Sequence, residues 1–212
     1  MIDEFHVIEN IQSTFSNDEY PGDDYLVGST DGSEPLEEIK PFIGRTDWTK
    51  IAPEVLDAHS GSLNFFSEAG LRFFLPAYLI ADLKGQLQIA DPVFSLVHGF
   101  SNSSIPHNIG DQEFLRVTGK DAFINPRRYG ALTFHDYSRY RLSIFTREEA
   151  GVIVQYLEYE RDNDPESFDQ EQIEAALNAF WYERAKTAPV NRSIEEHLRA
   201  EDEYLAALLK SS

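Results

Sequence analysis

The chain contains no cysteine. That absence excludes a disulfide framework, a thiolate metal site and a cysteine nucleophile, and it suits a reducing compartment. Positive charge is scarce too: 18 Lys and Arg stand against 37 Asp and Glu, a net charge of −19. Affinity for free nucleic acid comes mainly from neutralising phosphates, so this balance argues against direct nucleic-acid binding by the chain as a whole. No apolar run reaches the roughly 20 residues needed to cross a bilayer. The opening Met1-Ile-Asp-Glu-Phe5 lacks the basic and apolar regions of a signal peptide. A cytoplasmic protein with no membrane partner is the expectation.

Catalytic signatures are missing as well. Among the six histidines, His6, His59, His98, His107, His135 and His197, no two stand four apart, and no His-Glu-x-x-His occurs. Gly119-Lys120 lacks the glycine-rich loop that precedes a phosphate-binding lysine. There is no dinucleotide fingerprint and no Gly-x-Ser-x-Gly elbow. Asp23-Asp24, in the turn Tyr20-Pro-Gly-Asp-Asp-Tyr25, offers two carboxylates to a hard cation. A calcium loop needs more oxygen ligands at set spacing, so closing the turn is the simpler role. No metal ligand set, no cofactor and no catalytic residue is assigned.

What the chain does have is apolar mass: 42% hydrophobic and 13% aromatic residues over 212 positions, enough to bury a core. The most apolar stretch runs from Ser67 to Lys84. Between Phe73 and Ala81 it has no charge, and only Tyr78 carries a polar atom on its side chain. A helix apolar all round is buried all round. Ser67 is a good N-cap, Glu68 suits the first turn, and Lys84-Gly85 is a plausible stop. Pro76 interrupts the pattern, so a kink there, or an end near Phe74 and a restart, is expected.

Around this stretch the punctuation predicts short capped helices. One covers Asp3 to about Phe15, with Phe5, Ile8, Ile11 and Phe15 near one face. One starts at Ser33 and carries Leu36 and Ile39; another runs from Pro53 to His59, after the anchors Trp48 and Ile51. Asp91-Pro92 is an N-cap followed by proline at the first helical position. Thr146-Arg-Glu-Glu149 and Ser193-Ile-Glu-Glu196 are capping boxes. A helix over about 169–185 lies between them. Residues 99–132 are irregular, and Phe114-Leu-Arg-Val117 and Arg141-Leu-Ser-Ile-Phe145 read as short strands. The fold class expected is all-α, with room for a minor two-stranded element: one compact multi-helix domain over 1–212 around a buried central helix.

Charge is unevenly spread. Residues 1–40 hold eleven acids against Lys40, and 148–212 hold sixteen acids against six bases. The middle reverses sign, with Arg116, Lys120, Arg127, Arg128, Arg139, Arg141 and Arg147 against Asp121 and Asp136. This basic middle is either neutralised by the acidic ends or an anion-binding surface.

Phe65-Phe66, Phe73-Phe-Leu-Pro-Ala-Tyr-Leu79, Tyr20-Pro-Gly-Asp-Asp24 and Gly44-Arg-Thr-Asp-Trp48 together resemble a bacterial family of uncharacterised proteins. The helix start at Thr146 also fits. The resemblance covers roughly residues 5–160, leaving 161–212 as added C-terminal helices, and the matching residues are structural types. It implies no activity.

Two functions follow as expectations. The first is an acidic interaction protein, an inhibitor or immunity-type binder of a basic partner, since opposite fields speed encounter. The second is a small-molecule enzyme or anion-binding protein using Arg127, Arg128, His135, Arg139 and Arg141, with His135-Asp136 as an acid–base pair.

Overall fold

The computed structural model of the chain describes residues 3–28, 32–100, 104–109, 112–117, 134–163 and 169–190. Helix α1 (Glu4–Thr14) buries Val7, Ile8 and Ile11, and Phe15 is buried just past its end. Phe5, expected on this face, is 72% exposed. The buried stripe is centred on Val7, Ile8 and Ile11, and at roughly 100° per residue Phe5 falls about a quarter-turn outside it. The turn that follows is closed by its aspartate: Asp23 Oδ1 accepts from the Tyr20 hydroxyl at 2.5 Å and from Gly44 N–H at 2.8 Å. These bonds hold the Asp23 carboxyl below its usual range. Gly22 permits the turn with φ +95°.

Helix α2 (Glu34–Ile39), two 3₁₀ turns (Lys40–Phe42 and Trp48–Lys50), α3 (Pro53–Ala58) and α4 (Ser62–Phe65) wind toward the centre. Ser33 makes no side-chain cap, and Leu36 is exposed while Ile39 and Phe42 are buried. A six-residue helix does not fix its own phase; the packing of Pro35 and Ile39 decides it. Trp48 is anchored by Nε1 donating to the Phe15 carbonyl at 3.3 Å.

Helix α5 (Glu68–Leu83) is the centre. Every residue in it is buried except Arg72 and Asp82. Ser67 Oγ caps it by accepting from Gly70 N–H at 3.0 Å, while its own proton goes to the Tyr25 carbonyl. The far end is a Schellman motif: Gln86 N–H reaches the Ala81 carbonyl at 2.9 Å and Gly85 N–H the Asp82 carbonyl at 2.7 Å. Gly85 takes the left-handed φ of +63° that this closure needs. Pro76 neither ends nor restarts the helix, which is assigned as one element through it. The lost amide bond is offset by the apolar packing on all sides. The rings of Phe42, Phe66, Phe73 and Phe74 gather against one side of α5, with Tyr20 at their edge.

Helix α6 (Pro92–Val97) begins at the expected cap, with Asp91 Oδ1 accepting from Phe94 N–H at 2.7 Å. Strands β1 (Ser104–Ile109) and β2 (Gln112–Val117) pair antiparallel, from Ser104 opposite Val117 to Ile109 opposite Gln112. The strand expected at 114–117 therefore lies within β2. The one expected at 141–145 does not form. Arg141 and Leu142 complete α7 (Phe134–Leu142), and the chain then turns. Arg184 Nη2 satisfies the carbonyls of Ser143 and Phe145 at 2.8 and 2.9 Å, which a strand partner would otherwise have to do.

Helix α8 (Arg147–Asn163) starts on the predicted capping box: Thr146 N–H donates to Glu149 Oε2 at 2.8 Å, and Glu149 N–H to Thr146 Oγ1 at 3.4 Å. It packs against α1 on one side and, on the other, against α9 (Gln170–Ala176) and α10 (Tyr182–Thr187). These two are joined by a π-turn, Leu177–Trp181. Trp181 ties this layer to α6 through Nε1 and the Leu96 carbonyl at 3.0 Å. The result is an all-α, compact multi-helix fold around α5, with one small hairpin. The capping box at Ser193 lies outside the described residues.

Candidate anion-binding cleft

Two residues along an α-helix turn a side chain through about 200°. Arg139 and Arg141 stand two apart on α7, so the helix sends them to different sides. Arg139 is exposed and lines a shallow cleft with Tyr140, Phe180, Glu183 and Arg184. His135, one turn before it, meets the Phe100 ring edge-on at 5.7 Å. Arg141 is only 5% exposed and lines a separate cleft of about 260 Å³ with Asn64, Ser95, His98, Phe134 and Tyr137. The grouping expected from sequence is thus divided. His135 and Arg139 share one side of α7, and Arg141 takes the other. Arg127, Arg128 and the side chain of Asp136 lie outside the described residues.

The Arg141 cleft forms where α4, α6 and α7 converge. The Asp91 cap and Pro92 set the start of α6, so Phe94 and His98 fall one turn apart on the same face. Gly99 follows with φ +90°, and a Cβ there would lie 2.7 Å from the Phe134 carbonyl oxygen and 2.7 Å from Ser138 Oγ. No larger residue allows α7 so close. Ser138 Oγ seals the junction by donating to the His98 carbonyl at 2.7 Å.

The walls are aromatic. Phe94 stacks on His98 with ring centres 4.6 Å apart, and Phe134 meets His98 edge-on at 5.1 Å. Burial pushes the His98 imidazole below its ordinary pKa of 6.5, so it is neutral at pH 7. The one formal charge among these lining side chains is Arg141. Its Nη2 donates to the Leu63 carbonyl, while Nε is buried with no partner. Among the described residues no carboxylate pairs with it, nor with Arg139 or Arg147, whose Nε goes to the Ala188 carbonyl at 3.2 Å.

Arg72 shows the contrast. Its side chain is 11% exposed, but its guanidinium forks onto Glu149 with contacts of 2.6 to 3.1 Å and reaches Asp18 at 3.4 Å. For Arg72 the fold supplies two carboxylates. Arg141 receives a backbone carbonyl only.

Sequence reasoning named Arg141 but missed His98, Phe94 and Tyr137. The visible signal was the Asp91-Pro92 cap with Phe94 and His98 four apart; nothing local placed that face against α7. Among the described residues no group of three or more His, Asp or Glu is arranged to hold a metal ion, and no helix is long and apolar enough to cross a membrane. Comparison of the chain with protein families, with curated proteins and with solved structures finds no match.

Proposed function

We propose that this protein binds a small organic anion in the cleft lined by Arg141. The observation that carries the reading is a guanidinium that is 5% exposed, lines a cleft and has no carboxylate partner among the described residues. A buried charge left uncompensated costs several kcal/mol (order of magnitude), so folds pair it or leave room for a ligand that does. Arg141→Met keeps the side-chain length and removes the charge. It should abolish anion binding by calorimetry and, in the ligand-free protein, raise the unfolding free energy by about 1–2 kcal/mol, because the unpaired charge is gone. If Arg141→Met instead destabilises the free protein by several kcal/mol, the arginine is a structural element and the reading fails.

A second surface supports a protein-binding role. Tyr25, Leu36 and Ile43 are exposed, and the Asp23–Gly44 hydrogen bond brings the first and last of them to one region. The acids Asp24, Glu34 and Glu37 stand on the same segments. With a net charge of −19, the partner of matching chemistry is a basic protein. Its association should weaken at least about tenfold between 50 and 300 mM salt. Salt-independent binding would remove the electrostatic basis of this reading.

A further inference from the structure

We infer that the ligand of the Arg141 cleft is an aromatic monocarboxylate: one flat ring bearing one carboxylate, rather than a phosphate or a dicarboxylate. This rests on the reading of the cleft as an anion site. Three observations narrow the ligand class.

The first is charge. Arg141 is the single formal charge among the described lining side chains, and burial keeps His98 neutral at pH 7. One guanidinium matches one carboxylate. A phosphate dianion would bring a second negative charge that no described lining side chain meets. The second is shape. Phe94, His98 and Phe134 stand ring against ring along the wall, and Phe94 remains 38% exposed, leaving π surface for a further ring to pack on. The third is size. A cavity of about 150 Å³ holds a benzene. At about 260 Å³ this cleft has room for one ring with a carboxylate and a short link.

The polar groups at the edge add direction. Asn64 and Ser95 line the same cleft from α4 and α6. They are suited to a hydroxyl or amino substituent on the ring, because amide and hydroxyl groups both donate and accept.

The test uses the full chain and four probes read by calorimetry and ¹⁵N chemical-shift mapping: benzoate, acetate, benzyl alcohol and inorganic phosphate. Benzoate should bind at least about tenfold more tightly than each of the others, with shifts centred on His98 and Arg141. Phe94→Ala should weaken benzoate about three- to tenfold and leave acetate unchanged, as expected for loss of one ring contact. Arg141→Lys should weaken benzoate and acetate alike by losing the planar fork. Phosphate or acetate binding as tightly as benzoate would overturn the ligand class and leave the anion site standing. No binding of any anion would overturn both. Benzyl alcohol matching benzoate would overturn both as well, since the charge would then play no part.

Discussion

Arg72→Met should lower the unfolding free energy by about 3–5 kcal/mol at neutral pH, because it strands two buried carboxylates. Arg72 is the cation between Asp18, from the segment after α1, and Glu149, in the first turn of α8. Glu149 is buried and Arg72 and Asp18 are largely so, and the contacts span 54 and 77 residues of sequence. Burial works against the Arg72 charge, but its hydrogen bonds with Glu149 and the charges of Glu149 and Asp18 outweigh that and hold it protonated. Glu149 has a second duty, accepting the Thr146 amide in the capping box. Removing the guanidinium therefore frees the clasp of α5 on α8 and loosens the start of α8 together. Glu149→Gln alone keeps an acceptor for Thr146 and should cost less. The double variant should recover part of the loss, since one of the two stranded charges is gone. Urea titrations of the four proteins measure this. Strict additivity across the cycle would show that the pair is not coupled.

The same cluster sets a pH dependence with a definite sign. Asp18 is pushed up to about 7, first by burial and then by the charge and hydrogen bond of Glu149, with Arg72 opposing. In the unfolded chain an aspartate titrates near 3.9. Between those values the folded state holds a proton that the unfolded state has released. The contribution of Asp18 is full below about pH 4 and is lost as pH rises through about 7. The wild-type protein should lose stability from this group between about pH 4 and 7, and Asp18→Asn should flatten that slope. In Arg72→Met the opposing charge is gone, so the loss at pH 7 should exceed the loss at pH 5. Equal slopes for wild type and Asp18→Asn would place the titration elsewhere.

The local code was legible and the long-range code was not. Ser67, Asp91 and the Thr146–Glu149 box were read as caps, and each makes the expected bonds, because a cap depends on residues two or three apart. The buried all-round character of α5 followed from its uniform composition. Phe5 was misplaced because helical spacing gives the width of a stripe, while tertiary packing sets its centre. The segment 141–145 looked strand-like by composition; its neighbours in α7 and Arg184, some 40 residues on, decided otherwise. The basic middle was visible as a cluster in sequence. That α7 parts Arg139 from Arg141 follows from helical geometry once 134–142 is known to be helical. That no carboxylate among the described residues meets Arg141 depends on which side chains pack against it, and no sequence pattern carries that.

Phe74→Ala should be the most damaging truncation in the core, at about 3–5 kcal/mol. Phe74 is fully buried and stands at the junction of the aromatic cluster, with ring centres 5.1 Å from Phe42, 5.0 Å from Phe66, 4.9 Å from Phe73 and 6.3 Å from Tyr20. The cost depends on whether the space can close. Here closure is resisted on both sides of Phe74 along α5. Ser67 fixes the N-terminal turn through Gly70 and the Tyr25 carbonyl, and one turn beyond Phe74 the Tyr78 hydroxyl is hydrogen-bonded to Ser62 at 2.5 Å. A cavity between two pinned turns should persist, which puts the expected loss in the upper half of the range. Phe74→Leu keeps most of the volume and gives up only the ring pairing, so about 1–2 kcal/mol is expected. The damage should also spread along the rings. Tyr20 packs on Phe73 and Phe74 and holds the Asp23–Gly44 turn, so the Gly44 amide should exchange faster in Phe74→Ala than in Phe74→Leu. A loss below about 1 kcal/mol for the alanine variant, with Gly44 exchange unchanged, would mean that the cluster refills freely and that α5 is not the rigid centre of the fold.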